Sequence, residues 1–188
     1  LYSFEFSLAE SIVFGVLLLA FIHQVFYYFR FLNGILRQRT KIKNDRIDFT
    51  DEQPPVSVII CAKDESDNLR QFLPLVLSQD YPDFEVIVIN DGSTDATDDL
   101  LKDLCKEYSN LRTTFVPVGA NNISTKKLGL TLGIKAAKND WLLFTDADCM
   151  PEDKTWIARM ARNFTPETEF VLGYGAYFKK KGFINKLI

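Results

Sequence analysis

The sequence predicts an α/β domain with a mainly parallel sheet, preceded by one transmembrane helix. Three observations carry this expectation. From Val56 onward, short apolar runs alternate with helix-length segments, the order that builds parallel sheets through crossover helices. The runs themselves are continuously apolar, as strands buried on both faces require. Ahead of them, Ser11 to Phe29 carries no charge; at about 1.5 Å per residue such a helix covers roughly 28 Å, close to a bilayer's apolar core.

The amino-terminal segment is read as residues 1–38, with the transmembrane helix at about 11–29. Its heart is IVFGVLLLAFI, and Tyr27 and Tyr28 suit a lipid–water interface. Arg30, Arg37, Arg39, Lys41, Lys43 and Arg46 follow, opposed by Asp45, whereas upstream there are Glu5 and Glu10 and no basic residue. That asymmetry puts everything after Arg30 in the cytoplasm. A signal peptide would have a basic start and a small-residue cleavage site, and neither is visible. His23 is the sole histidine and lies in this apolar stretch, where a partner helix or a water defect suits it better than a ligand. Residues 39–54 are polar, lead into the Pro54-Pro55 pair, and read as a linker.

Residues 55–188 then form the α/β domain. Strands are expected at Val56–Cys61, Phe84–Asn90, Arg112–Val116 and Trp141–Thr145, and a fifth at Glu169–Tyr177. Helices are expected at Glu65–Gln79, with Leu69, Phe72, Leu73, Val76 and Leu77 inward, and at Asp95–Tyr108, Thr125–Lys138 and Asp153–Phe164. Phe144, Trp156 and Phe164 are expected in the core. Net charge is −3, which gives no general pull toward nucleic acid. Cys61, Cys105 and Cys149 are scattered and odd in number. That disfavours a disulfide framework or a zinc site and fits a reducing compartment; Cys61 and Cys149 are read as small packing residues.

In open parallel sheets ligands bind beyond the carboxyl ends of the strands, where strand order reverses. The residues there are Ala62-Lys63-Asp64-Glu65, Asp91-Gly92-Ser93-Thr94-Asp95 and Asp146-Ala147-Asp148. Carboxylates at three successive strand ends converge on one rim. Such a rim repels an anion unless a cation intervenes, and hard carboxylate oxygens favour Mg2+ or Mn2+ bridging to phosphate. Asp146-Ala147-Asp148 is the sharpest signal. In extended backbone its two carboxylates would face one side, one holding a metal while the other meets a ribose hydroxyl or a water.

From Pro55 to about Tyr177 the sequence resembles the family-two glycosyltransferases, which adopt the GT-A fold, a Rossmann-like nucleotide-sugar-binding architecture. The matching stretches are VSVIICAKDESDNL, QDYPDFEVIVINDGSTDAT, STKKLGLTLGIKAAKNDWLLFTDADC and PEDKTWI, in order and spacing. The resemblance implies that Ala62 belongs to the nucleotide-sugar site, that Glu65 contacts the nucleoside, that Asp91 binds base or ribose, and that Lys126 lies near the nucleotide. It implies further that Asp146 contacts ribose or metal and that Asp148 is the metal ligand. Asp64 stands where Asn is frequent, Asn90 where the first Asp of DDGS is frequent, and Thr131 where Asn is common; these changes are expected to leave donor binding intact. The implied partners are a nucleotide-diphosphate sugar donor, a glycan or lipid-linked acceptor and membrane lipid. The implied location is a bacterial inner membrane with the domain in the cytoplasm.

The family's reaction is an inverting displacement at the anomeric carbon. It needs charge stabilisation on the leaving diphosphate and a base for the acceptor hydroxyl, worth about 10² to 10⁴ in rate. The resemblance implies that this base is an Asp in a Glu-Asp motif, followed by an aromatic-basic motif. No Asp or Glu follows Glu169, so the base is expected downstream of Ile188, and a chain running from Leu1 to FINKLI reads as part of a longer protein. Two readings stay open here: a hexosyltransferase-like enzyme completed by downstream sequence, and a nucleotide-sugar-binding module without turnover. A nucleotidyltransferase is set aside, because the loop after the first strand, CAKDES, has no glycine to cradle phosphate.

Overall fold

The computed structural model describes residues 7–43, 49–117 and 125–177. The chain divides into two compact units, Leu1–Asp48 and Phe49–Ile188.

The first unit is one helix, α1 (Leu8–Lys43, 36 residues). Ser7 and Glu10 start it as a reciprocal capping box. The Glu10 N–H donates to Ser7 Oγ at 3.3 Å, and the Ser7 N–H donates to Glu10 Oε2 at 2.8 Å. The helix is apolar all round through its first half, so it has no single face to bury. It continues without a break past the uncharged stretch, through Gly34 and the basic residues to Lys43. Among the described residues, Leu8–Lys41 is the one helix long and apolar enough to cross a membrane.

The second unit is a three-layer α/β/α sandwich. Its elements are β1 (Val56–Ala62), α2 (Ser66–Leu77), β2 (Phe84–Asn90), α3 (Thr97–Glu107), β3 (Leu111–Phe115), α4 (Thr125–Ala136), β4 (Trp141–Asp146) and α5 (Trp156–Ala161). The sheet is parallel throughout, in the order β3-β2-β1-β4. The chain moves outward from β1 to β3, then crosses back to place β4 on the other side of β1. Strand order therefore reverses between β1 and β4.

Alternation along the strands fills both faces. Val56, Val58, Ile60, Val86, Val88 and Leu143 meet Leu69, Leu73 and Val76 of α2, Leu101 and Leu104 of α3, and Ile157 of α5. On the other face Ile59, Ile87 and Ile89 meet α4 through Leu128, Leu132 and Ala136. The approach of α4 is close because two glycines line it. A Cβ on Gly133 would stand 2.7 Å from Ile59 Cγ2 and 2.8 Å from Ile89 Cδ1.

The far end of α4 is fixed by a polar knot at the amino-terminal edge of the sheet. Glu85 is buried (7% exposed), yet its carboxylate is fully partnered. Ser57 Oγ donates to Oε1 at 2.8 Å, the Lys138 N–H donates to Oε1 at 2.7 Å, and Arg112 donates to Oε2 at 3.0 Å. Arg112 also donates to the Ala136 carbonyl at 2.9 Å, closing the last turn of α4. Burial pushes the Glu85 carboxyl up, but these donors outweigh it and hold the group below the usual range.

Away from the strand-end loops, the structure differs from the sequence expectations at residues 169–177, at α5 and at Phe144. Residues 169–177 form no strand. Phe170, Leu172, Tyr174 and Tyr177 are exposed, and among the described residues no neighbouring strand pairs with this backbone. α5 has six residues rather than the span 153–164. Asp153 Oδ1 instead accepts from the Thr155 N–H at 2.8 Å and Thr155 Oγ1 at 2.7 Å, a local turn that competes with helix. Phe144 is 48% exposed, because it lies on the α4 face of β4 while α4 covers β1, β2 and β3. Trp156 packs partly buried against the core, and Phe164 is buried and stacks on Trp141 with centroids 4.1 Å apart.

Candidate functional site

The reversal between β1 and β4 leaves a crevice at their carboxyl ends, and a cavity of about 370 Å3 occupies it. Cys61, Ala62, Lys63, Glu65, Asp91, Lys126, Gly129, Asp146, Ala147 and Asp148 line it. All six positions singled out in the sequence, Ala62, Glu65, Asp91, Lys126, Asp146 and Asp148, thus come together from four separate segments.

Two loops build one wall by interlocking. The loop after β1 places Asp64 at φ 54, the left-handed region that Asn and Asp tolerate best among non-glycine residues. Its N–H donates to Ser93 Oγ at 2.9 Å, and its Oδ1 accepts from the Thr94 N–H at 2.6 Å. One residue on, the Glu65 N–H donates to Thr97 Oγ1 at 3.1 Å, and the Ser66 N–H donates to Asp95 Oδ2 at 3.0 Å. These bonds occupy the free N–H groups at the start of α2 with side chains of the second loop. Within that second loop Asn90 Oδ1 accepts from the Ser93 N–H at 3.0 Å, and Gly92 takes φ +66. An oxygen acceptor is what position 90 needs, and Asn supplies it as well as Asp would.

The lattice leaves Glu65 and Asp91 facing the cavity. Glu65 is the residue before α2, and its Oε2 accepts from Asn68 Nδ2 at 2.6 Å, which holds the carboxylate in place. Ser93, Thr94, Asp95 and Thr97 are scaffold for this wall, a role that sequence reasoning missed. The signal was present in the S-T-D-x-T spacing, whose side chains commonly bind nearby backbone. Asp95 lies well below the ordinary carboxylate range because Thr97 and Ser66 donate to it.

The opposite wall comes from β4 and α4. Asp146 closes β4 beside Cys61 of β1. The chain then turns: Ala147 is buried, the Cys149 N–H donates to the Asp146 carbonyl at 3.2 Å, and Asp148 is exposed. The two carboxylates reach the cavity through a turn, not through the extended backbone expected from the sequence. Cys149 is exposed rather than packed, since this turn carries it to the rim. Cys61 is half-buried, and burial pushes its thiol up. Lys126 enters from the first turn of α4 and donates to Asp146 Oδ1 at 2.9 Å. That bond and the charge of Asp146 hold the ammonium above its usual range. Gly129 leaves room for this approach, because a Cβ there would stand 3.2 Å from Cys61 Sγ. Thr131 binds back to the Lys127 carbonyl at 2.9 Å.

Electrostatically the cavity sets four carboxylates, Glu65, Asp91, Asp146 and Asp148, against two ammonium groups, Lys63 and Lys126. Among the described residues no three acidic, His or Cys side chains converge as a metal cage. The donor set of Asp146 and Asp148 fits a hard cation that keeps waters and takes its other ligands from phosphate, the habit of Mg2+ and Mn2+. It does not fit a cation enclosed by protein ligands.

The chain matches the family model described as glycosyl transferase family 2 over residues 57–187. It is 34% identical over 98 residues to the poly-β-1,6-N-acetyl-D-glucosamine synthase of Staphylococcus epidermidis, which covers 52% of this chain and 23% of that protein. It is 31% identical over 112 residues to glycosyltransferase AglE of Haloferax volcanii, which covers 58% of this chain and 35% of that one. The chain therefore spans about a quarter to a third of the length of these curated relatives. A solved mannosyltransferase from Pyrobaculum calidifontis, in complex with GDP-Man and Mn2+, shares the fold with a TM-score of 0.54 at 20% identity, over 72% of this chain and 41% of that one.

Proposed function

Because the chain belongs to glycosyl transferase family 2, we propose that its cavity holds the nucleoside diphosphate of a sugar donor for transfer to a glycan or lipid-linked acceptor. The observation that carries this is the convergence of Glu65, Asp91, Lys126, Asp146 and Asp148 on one crevice at the switch point of the sheet. In this reading Glu65 and Asp91 accept hydrogen bonds from the base and ribose, beside the apolar floor of Ala62. Lys126 pairs with the diphosphate. Asp146 and Asp148 hold a divalent cation, which when bound offsets the charge that builds on the leaving diphosphate. The displacement is inverting: the acceptor oxygen bonds to the anomeric carbon, its proton passes to a general base, and the carbon–oxygen bond to the diphosphate breaks. The relative named as a poly-β-1,6-N-acetyl-D-glucosamine synthase supports a glycan product. α1 serves as the anchor in a bacterial inner membrane, with its basic end on the cytoplasmic side.

Calorimetry of the chain with UDP and with GDP, in the presence of Mn2+ or EDTA, tests the donor site. Binding of at least one nucleotide is expected to need Mn2+. Asp148→Ala is expected to weaken it about tenfold or more, the worth of a charge-assisted contact. Equal affinity in EDTA, or in the variant, would remove the cation from the reading.

A further inference from the structure

Within the cavity, Lys126 Nζ forms an ion pair with Asp146 Oδ1 at 2.9 Å. Both side chains are more than half exposed, at 64% and 57%, so water competes with the pair and it contributes little to folding. Its position matters more than its strength. Asp146 is one of two carboxylates that suit a divalent cation, and an ammonium already sits on one of its oxygens. A cation arriving alone would meet a like charge a few ångströms away. A nucleoside diphosphate changes this balance, because it brings anionic oxygens that can accept from Lys126 and ligate the cation together.

α4 makes the exchange local. The carboxyl end of this helix is fixed by Glu85 and Arg112, through the Lys138 N–H and the Ala136 carbonyl. Its middle is seated on Ile59 and Ile89 at Gly133. Lys126 lies in the first turn, at the other end, and its side chain is 64% exposed, so its long stem is free of close packing.

We propose that Lys126 is a tethered counter-ion that blocks Asp146 to a free cation and releases it when a nucleoside diphosphate draws the ammonium away. The proposal rests on the donor-site reading above and adds to it a coupling: cation and nucleotide favour each other through one lysine that changes partner. Reciprocity then requires that the nucleotide raise cation affinity by the factor by which the cation raises nucleotide affinity.

The test is Mn2+ binding to the full chain in detergent, followed by the electron paramagnetic resonance signal of free Mn2+, with and without saturating UDP or GDP. Lys126→Met is expected to bind Mn2+ about fivefold tighter than the parent when no nucleotide is present, the scale of one partly screened charge at this range. The same variant is expected to bind the nucleotide about tenfold more weakly and to show a correspondingly smaller gain in Mn2+ affinity on adding it. Lys127→Met makes the same change in net charge one residue along the helix and is the control. Unchanged or weaker Mn2+ binding by Lys126→Met without nucleotide overturns the proposal, as does equal tightening in Lys127→Met, or no Mn2+ uptake by the parent even when a nucleotide is bound. If the parent takes up Mn2+ and Lys126→Met tightens it, but neither nucleotide binds, the counter-ion role stands and the donor reading fails.

Discussion

At the residue scale, the acidic positions divide into those that face the cavity and those that build it. Asp91, Asp146 and Asp148 line the cavity, whereas Asp64 and Asp95 spend their oxygens on the opposite loop. A motif such as DGSTD does not separate these roles, because a carboxylate that binds ligand and one that binds backbone look alike in sequence. Asp95 and Glu85 both lie below the ordinary carboxylate range in the folded chain, Asp95 through Thr97 and Ser66, and Glu85 because its donors overcome burial. A depressed folded value means that the stabilisation is fully present above the unfolded pKa, at about 4, and is lost as pH falls through the folded value. Urea midpoints of the second unit's unfolding should therefore change little from these groups between neutrality and about pH 5, then fall below about pH 4. In Asp95→Asn the part of that fall due to position 95 should disappear, so the variant and parent midpoints converge in acid. A constant gap between them at all pH values would assign the stabilisation to packing instead.

At the element scale, the seat of α4 decides the shape of the site. Apolar spacing alone identified this segment as a helix, but not how near the sheet it runs. The distances at Gly133 show that a methyl group has no room there. Gly133→Ala would gain about 1 kcal/mol of helix propensity, yet overpacking against Ile59 and Ile89 costs about 1–3 kcal/mol. The clash is with side chains of two central strands, which are held from both sides, so the collision is expected to win. Thermal unfolding should show a lowered midpoint, and nucleotide affinity should fall with it, because α4 carries Lys126. A raised midpoint would mean that the sheet yields. The opposite case is the stretch 169–177, where an apolar and aromatic run forms no strand among the described residues. Periodicity states a preference for a sheet; pairing of the backbone has to be supplied by a neighbour.

At the scale of the whole molecule, two units of different character share one chain. The first exposes apolar side chains on every side of a 36-residue helix, a surface that water does not favour. The second buries its apolar strands between helices and sets four carboxylates around one cavity. The proposed arrangement, with α1 across the membrane and Lys41 on the cytoplasmic side, is checked by cysteine accessibility. Lys41→Cys in intact cells should resist an impermeant thiol reagent and react after the membrane is opened. Ready labelling in intact cells would reverse the orientation. The fractionation of the chain with membranes after an alkaline wash should accompany this, since a spanning helix is not released by high pH.

The sequence by itself determined the order of strands and helices, the apolar helix ahead of them, and the residues at the strand ends. Those properties follow from local periodicity and composition, which need no knowledge of what lies across the fold. It also carried the resemblance that pointed to Glu65, Asp91, Lys126, Asp146 and Asp148. The tertiary structure alone decided which strands are neighbours, and hence that the crevice opens between β1 and β4. It decided that Asp64 and Asp95 knit two loops, that Glu85 anchors the far end of α4, and that Phe144 stays outside α4's cover. Above all it decided that Lys126 reaches Asp146, twenty residues on in the chain. Each of these depends on groups distant in sequence competing for one place in space, and burial, charge and hydrogen-bond geometry settle that competition only once the sheet has formed.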